Sequence, residues 1–192
     1  MTNKNSKLPC VVLTGGKSSR MGEDKAMLPF KKEKTIFSYL YDQLDGVFEN
    51  IFVSCKQNNA YKYDKYKLIV DNQDIYSPLV ALDSIVEFFI RKDIEKFFVV
   101  PVDTPLATAN IYNRFIYDCT NAEITIAKTQ RTTHNLFGIF DVSINDKIKI
   151  LLSKNQHKIK KLIDISQTKE IYFTNEIYFT NINSKEDYLK LK

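Results

Sequence analysis

Short apolar runs rich in β-branched residues alternate along this chain with amphipathic segments of helical period. Such runs predict buried strands, and their alternation with helices predicts parallel strands joined by helical crossovers. We expect strands at 8–13, 51–55, 68–70, 97–100, 122–127 and 136–140, and helices at 35–47, 78–89, 107–117, 147–165 and 184–191. The predicted fold class is α/β, a Rossmann-like, three-layer α/β/α sandwich with a mainly parallel sheet.

Length and composition predict one domain over residues 1–192, with residues 1–7 frayed. The hydrophobic fraction of 44% and the charged fraction of 27% are ordinary for a soluble globular protein, and no apolar run is long enough to span a bilayer. The polar first residues do not resemble a signal peptide, so we expect a cytoplasmic protein. A net charge of +5 without a basic helix predicts neither a nucleic-acid nor a membrane partner.

The three cysteines indicate neither a disulfide framework nor a zinc site. They are Cys10, Cys55 and Cys119, odd in number, widely separated and without Cys-x-x-Cys spacing. Cys10 and Cys55 lie in apolar strand-like runs, so we expect them to be small core residues.

The first strand runs directly into a loop of small and basic residues at 13–25. Glycines allow close approach of the backbone to a ligand, and Lys17, Arg20 and Lys25 add positive charge, so the loop predicts a polyphosphate site. The loop lacks both the Gly-Lys-Ser/Thr ending of a P-loop and the Gly-x-Gly-x-x-Gly spacing of a dinucleotide fold. If only Gly15-Gly16 were present, a tight strand-to-helix connection would be an equal alternative. A packed turn does not require three cations, so the loop as a whole favours phosphate binding.

The carboxyl ends of the predicted strands form the expected ligand edge of the sheet, and the residues there are Gly15, Ser54, Asp71 and Asp103. Asp103 follows a buried strand, where a carboxylate suits Mg²⁺, which prefers oxygen ligands. A helix N-cap or turn aspartate is the alternative for Asp103, and a turn aspartate is an equal alternative for Asp71.

Residues 13–25 read Leu-x-Gly-Gly-x-Ser-x-Arg-Met-Gly-x-Asp-Lys, which resembles the signature loop of the molybdenum cofactor guanylyltransferases. These nucleotidyltransferases move a nucleoside monophosphate from an NTP onto a phosphorylated acceptor. The Val-Asp-Thr-Pro sequence at 102–105 resembles the family's Cys-Asp-Thr-Pro metal motif. The sequence at 181–184 resembles its late Asn-x-Asn-Thr/Ser segment, so the resemblance spans nearly the whole chain.

The resemblance implies transfer of GMP from GTP to molybdenum-loaded molybdopterin, with Mg²⁺ held by Asp103 and with release of pyrophosphate. It implies catalytic roles for Lys25, Asp103 and Arg20, the last by holding phosphates, and it places Asn181 and Asn183 on the acceptor side. It further implies contacts with other cofactor-assembly proteins and with apo-molybdoenzymes. The implied nucleotide-binding residues are Leu13, Thr14, Gly15, Gly16, Lys25, Ser54, Asp71 and Asp103.

Three further polar residues have open interpretations. Asp24 could position one of the loop cations. His134 could face the acceptor pocket, as a histidine of relatives does, but a loop histidine is the favoured interpretation. We expect His157 to be a solvent-facing residue of the 147–165 helix.

The chain departs from the family most clearly at 77–81, where Ser-Pro-Leu-Val-Ala stands in place of Gly-Pro-Leu-Ala-Gly. The loss of both glycines removes backbone freedom where base and acceptor are recognised. Thr14 replaces the usual Ala, and Ser54 a frequent Asn. Gly15-Gly16 favours guanine, because the related cytidylyltransferases more often have Ala-Gly.

Two rival functions stay open: a cytidylyl or sugar-phosphate nucleotidyltransferase, and a non-catalytic GTP-binding partner in molybdoenzyme maturation. The altered segment at 77–81 motivates the second. The tandem Glu-Ile-Tyr-Phe-Thr-Asn at 170–181 is interpreted as a local duplication or a coincidence, since six residues are too few for a solenoid unit.

Overall fold

A seven-stranded sheet forms the centre of the molecule in a computed structural model that describes residues 6–14, 24–31, 34–71 and 75–191. The strands in chain order are β1 (Cys10–Leu13), β2 (Pro29–Phe30), β3 (Lys34–Thr35), β4 (Ile51–Lys56), β5 (Lys67–Asp71), β6 (Lys96–Pro101), β7 (Ile124–Lys128), β8 (Thr133–Asp141) and β9 (Thr168–Tyr172). The large sheet has the order β5-β4-β1-β6-β8-β7-β9, and β2 and β3 form a separate antiparallel pair.

Six helices connect or flank the strands, and three of them begin at side-chain caps. Thr35 caps the first helix in a reciprocal capping box with Ser38. Ser77 caps the second, with Pro78 as its first residue, as the sequence predicts. Ser184 and Asp187 form the predicted cap of the last one. The helices are α1 (Ile36–Asp45), α2 (Pro78–Ile90), α3 (Ala109–Tyr117), α4 (Asn145–Ser153), α5 (Ile159–Ile165) and α6 (Lys185–Leu191).

The sheet is mainly parallel, with one strand reversed. Strands β5, β4, β1 and β6 are mutually parallel, and β9 is parallel to β7. Strand β8 is antiparallel to both β6 and β7. Because of this reversal, the first residues of β8 lie beside the carboxyl end of β6, at the edge where ligands bind in such sheets.

Two apolar clusters cover the two faces of the sheet. One contains Leu40 of α1 and Tyr112 of α3 together with Phe98 of β6. The other contains Phe89 of α2 and Phe97 of the same strand, together with residues of α4 and α5. Successive strand residues point to opposite faces, so each face acquires its own helical layer. The predicted three-layer α/β/α class is confirmed.

Two of the three cysteines are core residues, as predicted. Cys10 and Cys55 are buried, and Cys119 is exposed. Burial raises the pKa of Cys55 to about 11, so this thiol stays protonated at neutral pH. No helix in the described ranges is both long enough and apolar enough to cross a membrane.

Several predicted element boundaries are wrong. The single helix predicted at 147–165 is two helices, α4 and α5, because the chain turns at Asn155 in the left-handed conformation (φ 55°). Strand β8 begins at Thr133, three residues before the predicted start. Strand β9 was not predicted, since its Thr-Lys-Glu-Ile-Tyr sequence, in which only Ile171 is buried, lacks an apolar run. Of the segment predicted to be frayed at 1–7, Ser6 forms an isolated bridge with Phe48, and residues 1–5 lie outside the described residues.

Candidate active site

The carboxyl ends of β1 and β4 are fixed to each other by Thr14. Its backbone N–H and its hydroxyl both donate to the carbonyl oxygen of Ser54, at 3.0 and 2.9 Å. The carbonyl of Leu13 accepts from the N–H of Val102, just beyond β6, at 3.0 Å. Residues 13 and 14 thus lie between two neighbouring strand ends, where the backbone beneath a nucleotide was expected.

A lysine–aspartate ion pair lies at the carboxyl end of β6. The Nζ atom of Lys25 is 2.9 Å from Oδ2 of Asp103 and donates to the carbonyl oxygen of Ile182 at 3.3 Å. Both charged side chains are about four-fifths buried. Three distant stretches of sequence therefore converge on one ammonium group. Asp103 lies in the turn after β6 and is not a helix N-cap.

The segment at 181–182 is attached to the same turn. The hydroxyl of Thr104 donates to Oδ1 of Asn181 at 2.8 Å, and the N–H of Ile182 donates to the backbone carbonyl of Asp103 at 2.8 Å. Ile182 is fully buried, whereas Asn181 is exposed at the surface of the cluster. The N–H of Asn183 donates to Asp187 in the cap of α6, so the two predicted asparagines have different surroundings.

A buried ion pair joins the ends of β4 and β5. The Nζ atom of Lys56 lies 2.6 Å from Oδ2 of Asp71, and both side chains are less than a tenth exposed. Lys56 also donates to the carbonyl of Ile75 at 2.8 Å and lies 5.2 Å from the ring centre of Tyr76. Asp71 is therefore a paired strand residue and not a turn aspartate. The sequence reasoning overlooked Lys56, although a lysine that closes a buried apolar run was a usable signal.

Asp24 holds a different cation from those expected. Its Oδ2 pairs with Lys62 at 2.7 Å, and its Oδ1 accepts from the N–H of Ala26, which caps the short helical turn at Lys25–Met27. Lys62, in the connection between β4 and β5, was not predicted to take part. Gly15, Gly16, Lys17 and Arg20 lie outside the described residues.

A pocket of about 540 Å³ opens beside the Lys25–Asp103 pair. Its walls come from the turn after β6, the first half of β8, and the loop that leads into α5. The lining residues are Pro78, Pro101, Asp103, Thr104, Thr132, Thr133, His134, Asn135, Leu136, Phe137, His157, Lys158, Ile159, Lys160 and Asn181.

Both histidines of the chain line this pocket, and both favoured interpretations of them are wrong. His134 is not a loop residue: it lies on β8, half-buried, with its ring stacked on Phe179 at 4.8 Å between ring centres. Desolvation lowers the pKa of His134, with Glu176 acting in the opposite direction, so the ring is neutral at physiological pH. His157 is neither helical nor solvent-facing, but lies half-buried in the loop before α5.

The sheet order and the charged cluster at the carboxyl ends of the parallel strands define an α/β nucleotidyltransferase fold. The structure superposes on the molybdopterin-guanine dinucleotide biosynthesis protein A from Archaeoglobus fulgidus with a TM-score of 0.81, covering 96% of each chain at 15% identity. At this identity the likeness shows the fold.

The sequence comparisons then place the chain in a family. Residues 10–171 match the MobA-like NTP transferase domain, and the chain belongs to this family. It is 35% identical to the molybdenum cofactor guanylyltransferase of Campylobacter jejuni strain RM1221 over 97% of this chain and 96% of the relative. It is 27% identical to that of Helicobacter pylori strain G27 over 94% and 90%. The family predicted from the signature loop is confirmed, as is the nucleotidyltransferase class.

Proposed function

We propose that the protein transfers GMP from GTP to molybdenum-loaded molybdopterin, forming the guanine dinucleotide cofactor and releasing pyrophosphate. The observation on which this proposal depends is the Lys25–Asp103 pair at the carboxyl end of the parallel strands. The names of the C. jejuni and H. pylori relatives, which match over nearly their full length, supply the substrates.

In this reaction an oxygen of the acceptor phosphate attacks the α-phosphorus of GTP while the bond to the leaving pyrophosphate breaks. The protein's task is to position the phosphates and neutralise their charge. Lys25 is held within hydrogen-bond distance of the Asp103 carboxylate, so its ammonium lies where the triphosphate would meet the acceptor. Arg20 would add a second cation from the signature loop.

The residues beside Asp103 suit Mg²⁺. The carboxylate of Asp103 and the amide oxygen of Asn181, which are linked through Thr104, are the hard oxygen donors that this ion prefers. Among the described residues there is no group of three or more metal-binding side chains. Mg²⁺ commonly takes one or two carboxylates and completes its shell with water and substrate phosphates. We therefore assign Asp103 as its protein ligand; once bound, the ion would neutralise charge on the phosphates.

GTP would lie along the ends of β1, β4 and β5. The nucleotide contacts proposed here are the backbone of Leu13 and Thr14, the glycines at 15–16, and Ser54 and Asp71. The buried Lys56–Asp71 pair fixes the orientation of the Asp71 carboxylate, which guanine could meet with its N–H groups. The acceptor would occupy the 540 Å³ pocket, with Asn181 on its wall and Asn183 nearby in sequence.

Pyrophosphate release tests the proposal. Release by the purified protein is measured with Mg²⁺ and molybdenum-loaded molybdopterin, and the rates with GTP, CTP and ATP are compared. The same assay is run on the variants Asp103→Asn and Asp45→Asn. Asp45 is an exposed carboxylate at the end of α1 and serves as the matched control. We expect release with GTP, a loss of about 100-fold or more in Asp103→Asn, and wild-type rates in Asp45→Asn.

The remaining outcomes would support a rival function or refute the metal-ligand assignment. Release with CTP alone would establish a cytidylyltransferase. GTP binding without turnover of any NTP would favour the non-catalytic partner, with the altered segment at 77–81 as its cause. Full activity of Asp103→Asn would refute the metal-ligand assignment.

A further inference from the structure

Ser77 links two walls of the pocket region. Its Oγ accepts from the N–H of Leu79 at 3.2 Å as the N-cap of α2, and its hydroxyl lies 3.3 Å from the carbonyl oxygen of His157, to which it donates. A glycine at this position could begin a helix but would have no hydroxyl to donate. The Ser77 hydroxyl therefore ties the loop at 154–158 to the amino end of α2.

The same loop fixes the imidazole of His157. Asn155 adopts the left-handed conformation, and its Oδ1 lies 2.8 Å from Nε2 of His157. Because an amide oxygen can only accept a hydrogen bond, Nε2 is the ring nitrogen that carries a proton, and in the tautomer protonated there Nδ1 has a free lone pair. Nδ1 is buried, and no described residue donates to it.

His134, which also lines the pocket, likewise has a buried ring nitrogen without a hydrogen-bond partner in the described part of the chain. This nitrogen is Nε2. A buried polar atom without a partner costs about 1–3 kcal/mol, so each such atom in a folded protein needs an explanation. Two of them in the walls of one pocket, which is also lined by Asp103, indicate a ligand that supplies the missing partners.

We propose that His157 binds the acceptor substrate through Nδ1, and that Ser77 is the positioning residue that holds His157 against the pocket. This inference rests on the proposed function, which places molybdopterin in the pocket. A pterin ring has N–H and NH₂ groups that can donate to a bare imidazole nitrogen, whereas the oxygens of an ionised phosphate cannot. His157 therefore recognises the ring of the acceptor and not its phosphate.

Direct binding of molybdopterin under anaerobic conditions, followed by pterin fluorescence, tests His157 without need of turnover. The side-chain amide of asparagine falls near the position of Nδ1, and that of glutamine near Nε2. We expect His157→Gln to bind molybdopterin about tenfold more weakly and His157→Asn to stay within about threefold of wild type, with GTP titrations unchanged in both. Gln156→Ala, at an exposed position of the same loop, is the control and should bind as the wild type does.

Two variants test the positioning role of Ser77. Ser77→Gly removes the hydroxyl but keeps an acceptable N-cap, and should raise the acceptor KM about threefold while kcat and GTP affinity stay unchanged. Ser77→Thr keeps a hydroxyl and should restore the wild-type KM. A merely structural role would lower the melting temperature and weaken GTP and acceptor binding together.

The outcomes separate this inference from the proposed function. If the wild type binds molybdopterin and His157→Gln binds it equally well, the inference is overturned while the proposed function stands. Equal weakening of GTP and molybdopterin binding in His157→Gln would overturn it in favour of a structural role. If the wild type binds no molybdopterin, the acceptor assignment and the role of His157 both fail.

Discussion

Lys25 has protein partners in the structure and is also the residue that we propose binds the substrate phosphates. Its ammonium contacts the Asp103 carboxylate and the Ile182 carbonyl, and both partners lie far away in sequence. The pair is mostly buried, so removing either member leaves a charge without compensation. We propose that an incoming triphosphate would add negative charge at the same point and that Lys25 would bind it.

Replacing Lys25 by methionine tests this view. We expect GTP affinity to fall by about tenfold or more and transfer by about 100-fold, because a cation that stabilises the transition state is lost. The melting temperature should fall as well, because the mostly buried Asp103 carboxylate loses its counter-charge. Isothermal titration with GTP and pyrophosphate release measure the two effects. Lys34→Met, at an exposed lysine paired with Asp42, is the control, and an unchanged GTP affinity in Lys25→Met would contradict the assignment.

The sequence predicts which individual residues belong to the site better than it predicts which residues they contact. The motif pattern singles out Lys25 and Asp103, and the structure brings these two together. Lys56 and Lys62 were overlooked, because each binds an aspartate in another segment and nothing in the local pattern names that partner. The two histidines were misjudged for the same reason, since a polar stretch gives no sign of the pocket that it will line.

Among the elements, the β7–β8 pair depends on a glycine at one position, Gly138. Gly138 of β8 lies opposite Ile126 of β7, next to a register shift between Ile126 and Ala127. A Cβ atom at position 138 would lie 2.0 Å from the carbonyl oxygen of Thr125, and backbone cannot yield as a flexible side chain would. The close approach of these two strands therefore requires glycine.

Gly138→Ala should destabilise the protein by about 3 kcal/mol, measured as the free energy of unfolding in urea. Gly46→Ala is the matched control. A Cβ at position 46 would meet only an ordinary contact of 3.7 Å with the carbonyl of Gln43, so we expect a change within about 0.5 kcal/mol. Similar stabilities for the two variants would show that the strands separate more easily than their geometry implies.

Elements with a continuous apolar pattern were predicted well, and those without it were not. The run from Cys10 to Leu13 forms β1 within the predicted range. Strand β9 is an edge strand with one buried residue, Ile171, so its sequence shows no apolar pattern. The division between α4 and α5 escaped prediction because apolar residues continue on both sides of the turn, from Leu151 to Ile159.

Over the whole molecule, the reversed strand β8 and its neighbours are joined by Glu123, just before β7. Its carboxylate pairs with Lys147 of α4 and accepts from the N–H of Gln167, which precedes β9. Partial burial alone would raise the pKa of Glu123, but the hydrogen bonds from Lys147 and Gln167 outweigh it and lower the pKa below the ordinary value. A single charge thus stabilises the contacts between three elements.

This lowered pKa predicts a pH dependence. Because the folded-state pKa lies below the unfolded one, the contribution of Glu123 is complete above the ordinary glutamate pKa and is lost as pH falls through the folded value. Glu123→Gln should therefore be less stable than wild type at about pH 7, by up to about 1 kcal/mol, and the difference should shrink by about pH 3. Urea unfolding at both pH values measures it. Glu186→Gln, at an exposed position, should change neither value, and a gap that persists in acid would refute the linkage.

The fold class follows from local alternation of strand and helix patterns, but the order of strands does not. Nothing between residues 122 and 141 indicates that the later strand inserts between β6 and β7 and runs antiparallel to both. That arrangement depends on which edges remain free once the parallel strands have paired. It also decides which residues of β8 reach the ligand edge, which is why the pocket could not be predicted.

Ile182, which follows the last strand of the large sheet, contacts both charged residues of the site. All seven strands of the large sheet are complete by Tyr172. Nevertheless, the buried Ile182 offers its N–H to Asp103 and its carbonyl to Lys25. A protein shortened after β9 would lose the contacts that align Lys25 and Asp103, together with the core residues Phe173, Phe179, Ile182 and Tyr188. The last twenty residues therefore support both the arrangement of the site and the packing of the core.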